Sequence, residues 1–378
     1  MKIISFYLPQ FHCIPENDEN WGKGFTEWNN VRKSKALFNG HNQPRVPLND
    51  NYYNLLDIET IKWQARIARE NHIWGFCFYH YWFGDKLLLE KPMELLLNDK
   101  SISINYCISW ANENWTNQWV SNNPKIIVKQ TYGDYKEWKR HFDYLLPFFK
   151  DGRYIKRNNC PVVVIYKPTN FKEINSMKLF WDKLAIQNGF NGICFISQIS
   201  CFFKENPSAY CSMDFLLDYQ PVDYFISKSR SRSYTLNLFK KIIKNFANRF
   251  GVDLEGKKIT HLTKYAYSDV WNWILNKEIL DERVVPGLFS DWDNTPRKGN
   301  KGTLLLGACP ELFSYYLKQQ IINCKNNYKK DFMFAFAWNE WAEGGYLEPD
   351  EKFGFGYLES IKSILEELCE VPDFAPSL

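Results

Sequence analysis

The sequence predicts a (β/α)8 barrel, the TIM barrel architecture, built as one domain over residues 1–378 with long loop insertions after strands 1 and 6. Three observations carry this prediction. Eight short apolar runs recur along the chain, each followed by a segment of helical character, and alternating strand and helix implies a parallel sheet. No G-x-G-x-x-G follows the first run, which argues against an open doubly wound sheet. At 378 residues the chain is long for an ordinary domain and normal for a barrel carrying insertions.

The apolar runs are Ile3–Leu8, Ile73–Tyr79, Ile104–Trp110, Val162–Tyr166, Gly192–Ser197, Phe215–Gln220, Val284–Ser290 and Phe332–Trp338. Apolar sequence this continuous reads as strand buried on both faces. Between the runs, amphipathic periodicity predicts helices over Asp57–Asn71, Tyr135–Lys150, Ile174–Asn188, Leu236–Phe250, Pro310–Asn327 and Gly356–Leu368. Residues 9–52 and 221–264 stand out as long insertions, and loops of that length usually form lids or binding walls. No Pro/Ser-rich linker, low-complexity tract or repeat of 20–50 residues interrupts the pattern.

Composition narrows the function classes. Aromatic residues make up 17% of the chain, with 15 Trp and 22 Tyr. Part of that excess fills the core, yet sugar-binding clefts also present flat aromatic faces, so it leans toward a carbohydrate ligand. A net charge of +4 is too small to imply nucleic acid. The ten cysteines show neither C-x-x-C pairs nor zinc-ligand spacing, and Cys77, Cys107 and Cys194 lie inside apolar runs as expected buried thiols. No metal or cofactor is implied. Without a signal-peptide h-region or an apolar run long enough to span a bilayer, the expected compartment is reduced and cytoplasmic.

Segment 228–264 carries ten Lys/Arg against two acids. Within it, Leu236, Phe239, Ile242, Ile243, Phe246 and Phe250 share one helical face, away from Lys240, Lys241, Lys244 and Arg249. An outer barrel helix with a solvated basic face is the expected role of 236–250. Weak association with the cytoplasmic membrane surface is the alternative.

Barrel active sites gather at the C-terminal ends of the strands. Those ends supply Tyr7 from the first strand and Tyr79, His80 and Trp82 from the second. The third gives Trp110, Asn112, Glu113 and Trp115, the fourth Tyr166, the seventh Asp291, Trp292 and Asp293, and the eighth Asn339 and Trp341. Rings that stack on pyranose faces alternate here with polar tips that bind hydroxyls, so the set is expected to hold an oligosaccharide or polysaccharide. Glu113 reads as a hydroxyl-binding acid. His80 reads equally as a hydroxyl ligand or a structural histidine, and Glu27 as a loop cap or a substrate contact. Asp291-Trp-Asp293 has the form of the Asp-x-Asp metal motif of nucleotide-sugar transferases, but that motif belongs to an open nucleotide-binding sheet. A substrate-facing or structural loop acid is the expected role.

The strongest signal is at the exit of the eighth run, where Glu340 and Glu343 stand three residues apart among tryptophans, followed by Gly344 and Gly345. Burial beside aromatic rings raises a carboxyl pKa, and a second carboxylate nearby separates the two values. Such a pair can supply one acid and one base at neutral pH, as glycosidic chemistry requires. The plainer reading is a pair of acids favoured at a helix N-terminus.

Trp338-Asn-Glu-Trp-Ala-Glu-Gly344 resembles the Asn-Glu-Trp-x-Glu-Gly signature of glycoside hydrolase family 99, the endo-α-mannanases and endomannosidases. Phe6-Tyr-Leu-Pro-Gln-Phe-His12, Gly24-Phe-Thr-Glu-Trp28 and Ser290-Asp-Trp-Asp-Asn-Thr-Pro-Arg297 resemble a narrower set, the WbsX-type proteins associated with bacterial surface polysaccharide synthesis and often labelled glycosyltransferases. The resemblance runs from residue 3 to about residue 360. It implies Glu343 as general acid/base and Glu340 as the base that deprotonates the sugar 2-hydroxyl, giving a 1,2-anhydro intermediate and overall retention. Unlike secreted family 99 enzymes the chain shows no secretion signal, which points away from extracellular mannan degradation. Within enzymes the alternative is a transferase or transglycosylase using the same carboxylates. Outside enzymes it is a non-catalytic glycan-binding barrel, which has no need of a buried acid/base couple.

Overall fold

The computed structural model describes residues 1–116, 125–199, 210–229, 262–279 and 281–378. Eight strand positions form a nearly closed parallel barrel. They are β1 (Lys2–Tyr7), β2 (Gly75–Trp82), β3 (Asn105–Trp110), β4 (Cys160–Ile165), β5 (Cys194–Ile199), β6 (Phe215–Asp218), β7 (Val284–Val285, continuing as Gly287–Phe289) and β8 (Phe332–Phe336). Each pairs in parallel with the next, and β8 returns to β1. The seventh position is divided: Val284–Val285 pairs with β6 and Gly287–Phe289 with β8, with Pro286 between them. Proline has no N–H to give a ladder, and the strand exchanges neighbours there.

Helices α1 (Pro15–Trp21) and α2 (Glu27–Lys33) occupy the insertion after β1. The outer helices are α3 (Ile58–Glu70), α4 (Lys91–Asn98), α5 (Tyr135–Phe149), α6 (Ile174–Gln187), α7 (Tyr267–Leu275), α8 (Pro310–Asn326) and α9 (Gly356–Glu367). Side-chain caps set two of their starts. The Asp57 carboxylate accepts the Glu59 N–H ahead of α3, and Asp134 accepts those of Lys136 and Glu137 ahead of α5. Along α5, Trp138, His141, Phe142, Leu145, Phe148 and Phe149 are buried at helical spacing, making the stripe that packs against the barrel.

The insertion after β6 falls largely outside the described residues, and the basic helix expected at 236–250 lies wholly outside them. At its edges residues 222–229 are helical, and Thr263–Ala266 pairs in parallel with Thr303–Leu306 as a small sheet beside the barrel. Among the described residues no helix is long and apolar enough to cross a membrane. Cys77 and Cys107 face each other across β2 and β3 as free thiols.

Candidate active site

The last strand delivers the two glutamates on a tight hairpin. After β8, Asn339–Glu340 pairs antiparallel with Gly345–Tyr346, and Trp341–Glu343 closes the loop as one 3-10 turn. Gly344 has φ +70°, and a Cβ there would come within 2.8 Å of the Asp293 amide nitrogen. At Gly345 an added Cβ would meet the Phe336 ring at 2.3 Å. Both positions therefore need glycine, one for its backbone conformation and both for space. The turn brings Glu340 and Glu343 to the base of a cavity of about 700 Å³ at the C-terminal mouth of the barrel. Tyr79, Tyr81, Tyr166, Tyr219 and Phe336 supply aromatic lining, and Trp21 of α1, Phe25 between the helices and Glu27 of α2 line the cavity from the insertion after β1.

One guanidinium organises the acids. Arg297 Nη2 lies 2.8 Å from Glu340 Oε1 and 3.1 Å from Glu27 Oε2, and Nη1 lies 2.9 Å from Glu343 Oε1. Three ionised carboxylates against one guanidinium would leave two uncompensated negative charges around the buried Arg297. Such a site favours keeping a proton. The Glu340 carboxyl is accordingly held above the usual carboxylate range by burial, with Arg297 opposing the shift and Glu343 and Glu27 adding to it. A carboxyl so placed is a stronger base once ionised than a solvated one, which suits it to take a proton from a sugar hydroxyl.

The expected site residues divide according to which face of the barrel wall they occupy. Residues alternate faces along a strand, and β2 runs on to Trp82 instead of stopping at Tyr79. Tyr79 and Tyr81 consequently face the cavity, with the Tyr79 hydroxyl 2.8 Å from that of Tyr219. His80 and Trp82 face outward against α5, which corrects the expectation that Trp82 binds substrate and puts His80 on the structural side of its two expected roles. His80 Nε2 lies 2.8 Å from His141 Nε2, and Trp82 stacks on His141 at 4.5 Å with rings 3° apart. Burial pushes His80 down to about 3, so this imidazole pair is neutral, one ring donating and the other accepting.

Tyr7 likewise points outward and donates to Gln64 Oε1 on α3. Trp110 donates its indole N–H to the Trp82 carbonyl. Asn112 and Asn339 are backbone clips: Asn112 exchanges two hydrogen bonds with the peptide groups of Lys167, and Asn339 does the same with Leu8. Each joins the ends of neighbouring strands. Trp341 donates to Glu348 and stacks on Tyr346 at 3.7 Å, and Trp292 packs behind Phe336. None of these six lines the cavity. Glu113, Trp115 and Tyr166 do, Glu113 paired with Lys167 and Trp115 edge-on to Tyr81.

Asp291 and Asp293 are struts behind the turn, not substrate-facing acids. Asp291 Oδ2 accepts from Arg45 at 2.7 Å, and Arg45 also donates to the Gly344 carbonyl. Asp293 accepts from Gln43 and meets His41 at 2.9 Å, while its other oxygen receives the Thr295 N–H and hydroxyl. Its own N–H donates to the Glu343 carbonyl at 2.7 Å. The pair thus fixes both the turn carrying Glu343 and the segment carrying Arg297. Among the described residues no cluster of three or more His, Cys, Asp or Glu side chains could hold a metal ion.

Sequence reasoning placed Tyr81 at the end of the second strand beside Tyr79 but gave no site role to Arg297 or Tyr219. Arg297 was signalled, since it closes the Ser290–Arg297 motif, but a lone arginine carries no periodicity to reveal its partners. Glu27 sits in the first turn of α2, where an acid is favoured by the helix dipole. Its neighbour Trp28 packs on Trp341 at 5.5 Å, which pins the Glu27 segment to the Glu340–Glu343 hairpin.

Comparisons with known proteins bear on the family and the fold. The chain is 29% identical over 386 residues to the uncharacterized protein WxcX from two strains of Xanthomonas campestris pv. campestris, an alignment covering all of this chain and 51% of that protein. The chain thus spans about half the length of the curated relatives it matches. Among solved structures it is similar to the GH99 endo-alpha-mannosidase from Bacteroides thetaiotaomicron, with TM-score 0.55, 14% identity and 98% of each chain covered. A glycoside hydrolase-like protein gives TM-score 0.54 at 11% identity, covering 98% of this chain and 94% of that one. At such identities the likeness concerns the fold, a TIM barrel. The profile described as Glycosyltransferase WbsX matches residues 3–361, and on that match the chain belongs to the WbsX family.

Proposed function

We propose that this chain is a carbohydrate-active enzyme that acts on glycosidic bonds with retention, working on an oligosaccharide or polysaccharide in bacterial cell-surface (O-antigen or capsule) metabolism. The observation that supports this most is the meeting of Glu340 and Glu343 on one buried guanidinium at the base of an aromatic-lined cavity. In the ionised form that the step requires, Glu340 takes the proton of the sugar 2-hydroxyl, the freed oxygen attacks the anomeric carbon, and Glu343, then carrying the proton that the site retains, protonates the departing glycosidic oxygen. In the return step Glu343 removes a proton from the acceptor. The acceptor opens the 1,2-anhydro ring at the anomeric carbon, and Glu340 gives its proton back to the 2-oxygen. Two inversions make net retention. Tyr79, Trp115, Tyr166 and Glu113, which line the cavity, would bind the substrate.

Transfer to an acceptor other than water is a second reading, favoured by the family's description as a glycosyltransferase. Arg297 is already engaged by three carboxylates, so a diphosphate donor would have to be gripped by Lys33 and Lys167, which also line the cavity. The test is fluoride release from a panel of α-glycosyl fluorides, with and without added sugar acceptors, with the product anomer read by NMR. Retained product in water alone supports hydrolysis, and acceptor-dependent turnover supports transfer. An inverted product, or no turnover of any donor by folded protein, overturns the proposal.

A further inference from the structure

Glu27 is a third carboxyl in the catalytic network, and the two-carboxylate scheme gives it no task. It is 5% exposed, and its Oε2 takes both Arg297 Nε at 3.3 Å and Nη2 at 3.1 Å. The same Nη2 is the atom that reaches Glu340. Glu27 therefore competes with Glu340 for one edge of the guanidinium, whereas Glu343 has Nη1. The arrangement is rigidly held. Trp28 anchors α2 by donating to the Tyr53 carbonyl, and Asp293 caps the turn that carries Arg297.

We propose that Glu27 is a positioning residue that divides the charge of Arg297, withholding part of it from Glu340 and so leaving Glu340 the base of the pair. This rests on the function proposed above and adds a division of labour to it. The groups facing Glu340 come from every element packed around it: Arg297 from the segment after β7, Glu343 from its own hairpin, Glu27 from α2, Tyr79 and Tyr81 from β2, and Tyr219 from the end of β6. The tyrosines, buried and held protonated, supply no charge at neutral pH. The balance at Glu340 is accordingly set by one cation and two neighbouring carboxyls. Removing the Glu27 charge frees Arg297 for Glu340 and also takes away a like charge, and both changes favour the ionised form of Glu340. Removing the Arg297 charge does the opposite.

The test is a pH titration of the protonated-carboxyl infrared band that is lost in Glu340→Gln, read in the wild-type protein, Glu27→Gln and Arg297→Met. The proposal expects the midpoint to fall in Glu27→Gln and rise in Arg297→Met, by about 1–3 units each. The acidic limb of the pH–rate profile should move in the same two directions. A purely structural role would reduce activity in both variants without moving the midpoints apart. An unmoved or raised midpoint in folded Glu27→Gln overturns the idea. Where a variant unfolds, Glu27→Asp and Arg297→Lys, which keep the charge and shorten the reach, replace it and should give smaller shifts of the same sign. Because the titration needs no substrate, opposed shifts in a protein inert toward every glycosyl donor would sink the proposed function and leave the Glu27–Arg297 couple standing.

Discussion

Arg297 grips Glu340 at 2.8 Å from a position 43 residues earlier in the chain, each side chain less than a tenth exposed. The contact joins the segment after β7 to the hairpin after β8, so the proposed base is held from outside its own loop. Glu343 meets the other terminal nitrogen of the same guanidinium. The two carboxyls therefore share a counter-ion yet stand in different surroundings, Glu340 deeper and Glu343 nearer the opening, with side-chain exposures of 6% and 13%.

That asymmetry predicts a split in mutant kinetics. Glu343→Gln should lower turnover of a poor leaving group by roughly 10²–10⁴, because the departing oxygen loses its proton donor. A highly activated leaving group needs little protonation, so its bond-breaking step should suffer much less. Glu340→Gln should be deleterious with both, since removal of the 2-hydroxyl proton is required whatever leaves. Substrate affinity should change little in either variant. The basic limb of a bell-shaped pH–rate profile should disappear in Glu343→Gln. Near-native activity in either variant, or the reversed leaving-group dependence, would show the roles to be misassigned.

Burial of Glu340 also has a consequence for folding. Its carboxyl is raised in the folded state, whereas in the unfolded chain it titrates at an ordinary value near 4.3. Between those two values the folded state holds a proton that the unfolded state has released, so raising the pH through that window costs stability. Glu348, buried and pushed up to about 7, acts in the same sense. Below about pH 6.5 the buried neutral His80 and His141 act in the opposite sense, because the unfolded chain takes up protons there that the folded state does not. The net decline should thus appear from about pH 7 toward pH 8, by at most about 1.4 kcal/mol per pH unit for each raised carboxyl. Glu340→Gln should flatten the decline and raise the melting temperature at pH 8 more than at pH 5. Parallel melting curves for the two proteins across that range would refute the account.

The sequence made the barrel legible because its strands are buried on both faces and its helices on one, two patterns that differ in period. It made the Glu340–Glu343 hairpin legible because acids, tryptophans and glycines coincide in the eight residues from Trp338 to Gly345. The wall residues were harder. Tyr79, His80, Tyr81 and Trp82 are all aromatic, so composition alone does not tell the cavity face from the α5 face. Strand alternation separates them only once the end of β2 is known. The division of β7 at Pro286 was visible in the sequence as a proline within a strand run, but its partners on either side are facts of three dimensions. Arg297 lies at the limit of such reading, since three partners from two distant segments define it.

The Asp291–Arg45 pair gives the last prediction. The two side chains are 2.7 Å apart at 10% and 7% exposure, and Arg45 also holds the Gly344 carbonyl beside Glu343. Removing one partner of a buried ion pair strands the other charge, at about 3–5 kcal/mol. Asp291→Asn should therefore lower the melting temperature markedly. It should also reduce turnover through the loosened Glu343 turn. The double variant Asp291→Leu/Arg45→Met leaves neither charge stranded and should recover much of the stability, but not the turnover, because the Gly344 carbonyl still lacks its donor. If Asp291 and Asp293 were metal ligands instead, prolonged chelation would reproduce the loss in the wild-type protein and a divalent ion would reverse it. As struts, they should leave both melting temperature and activity unchanged by chelator, with the loss confined to the variants.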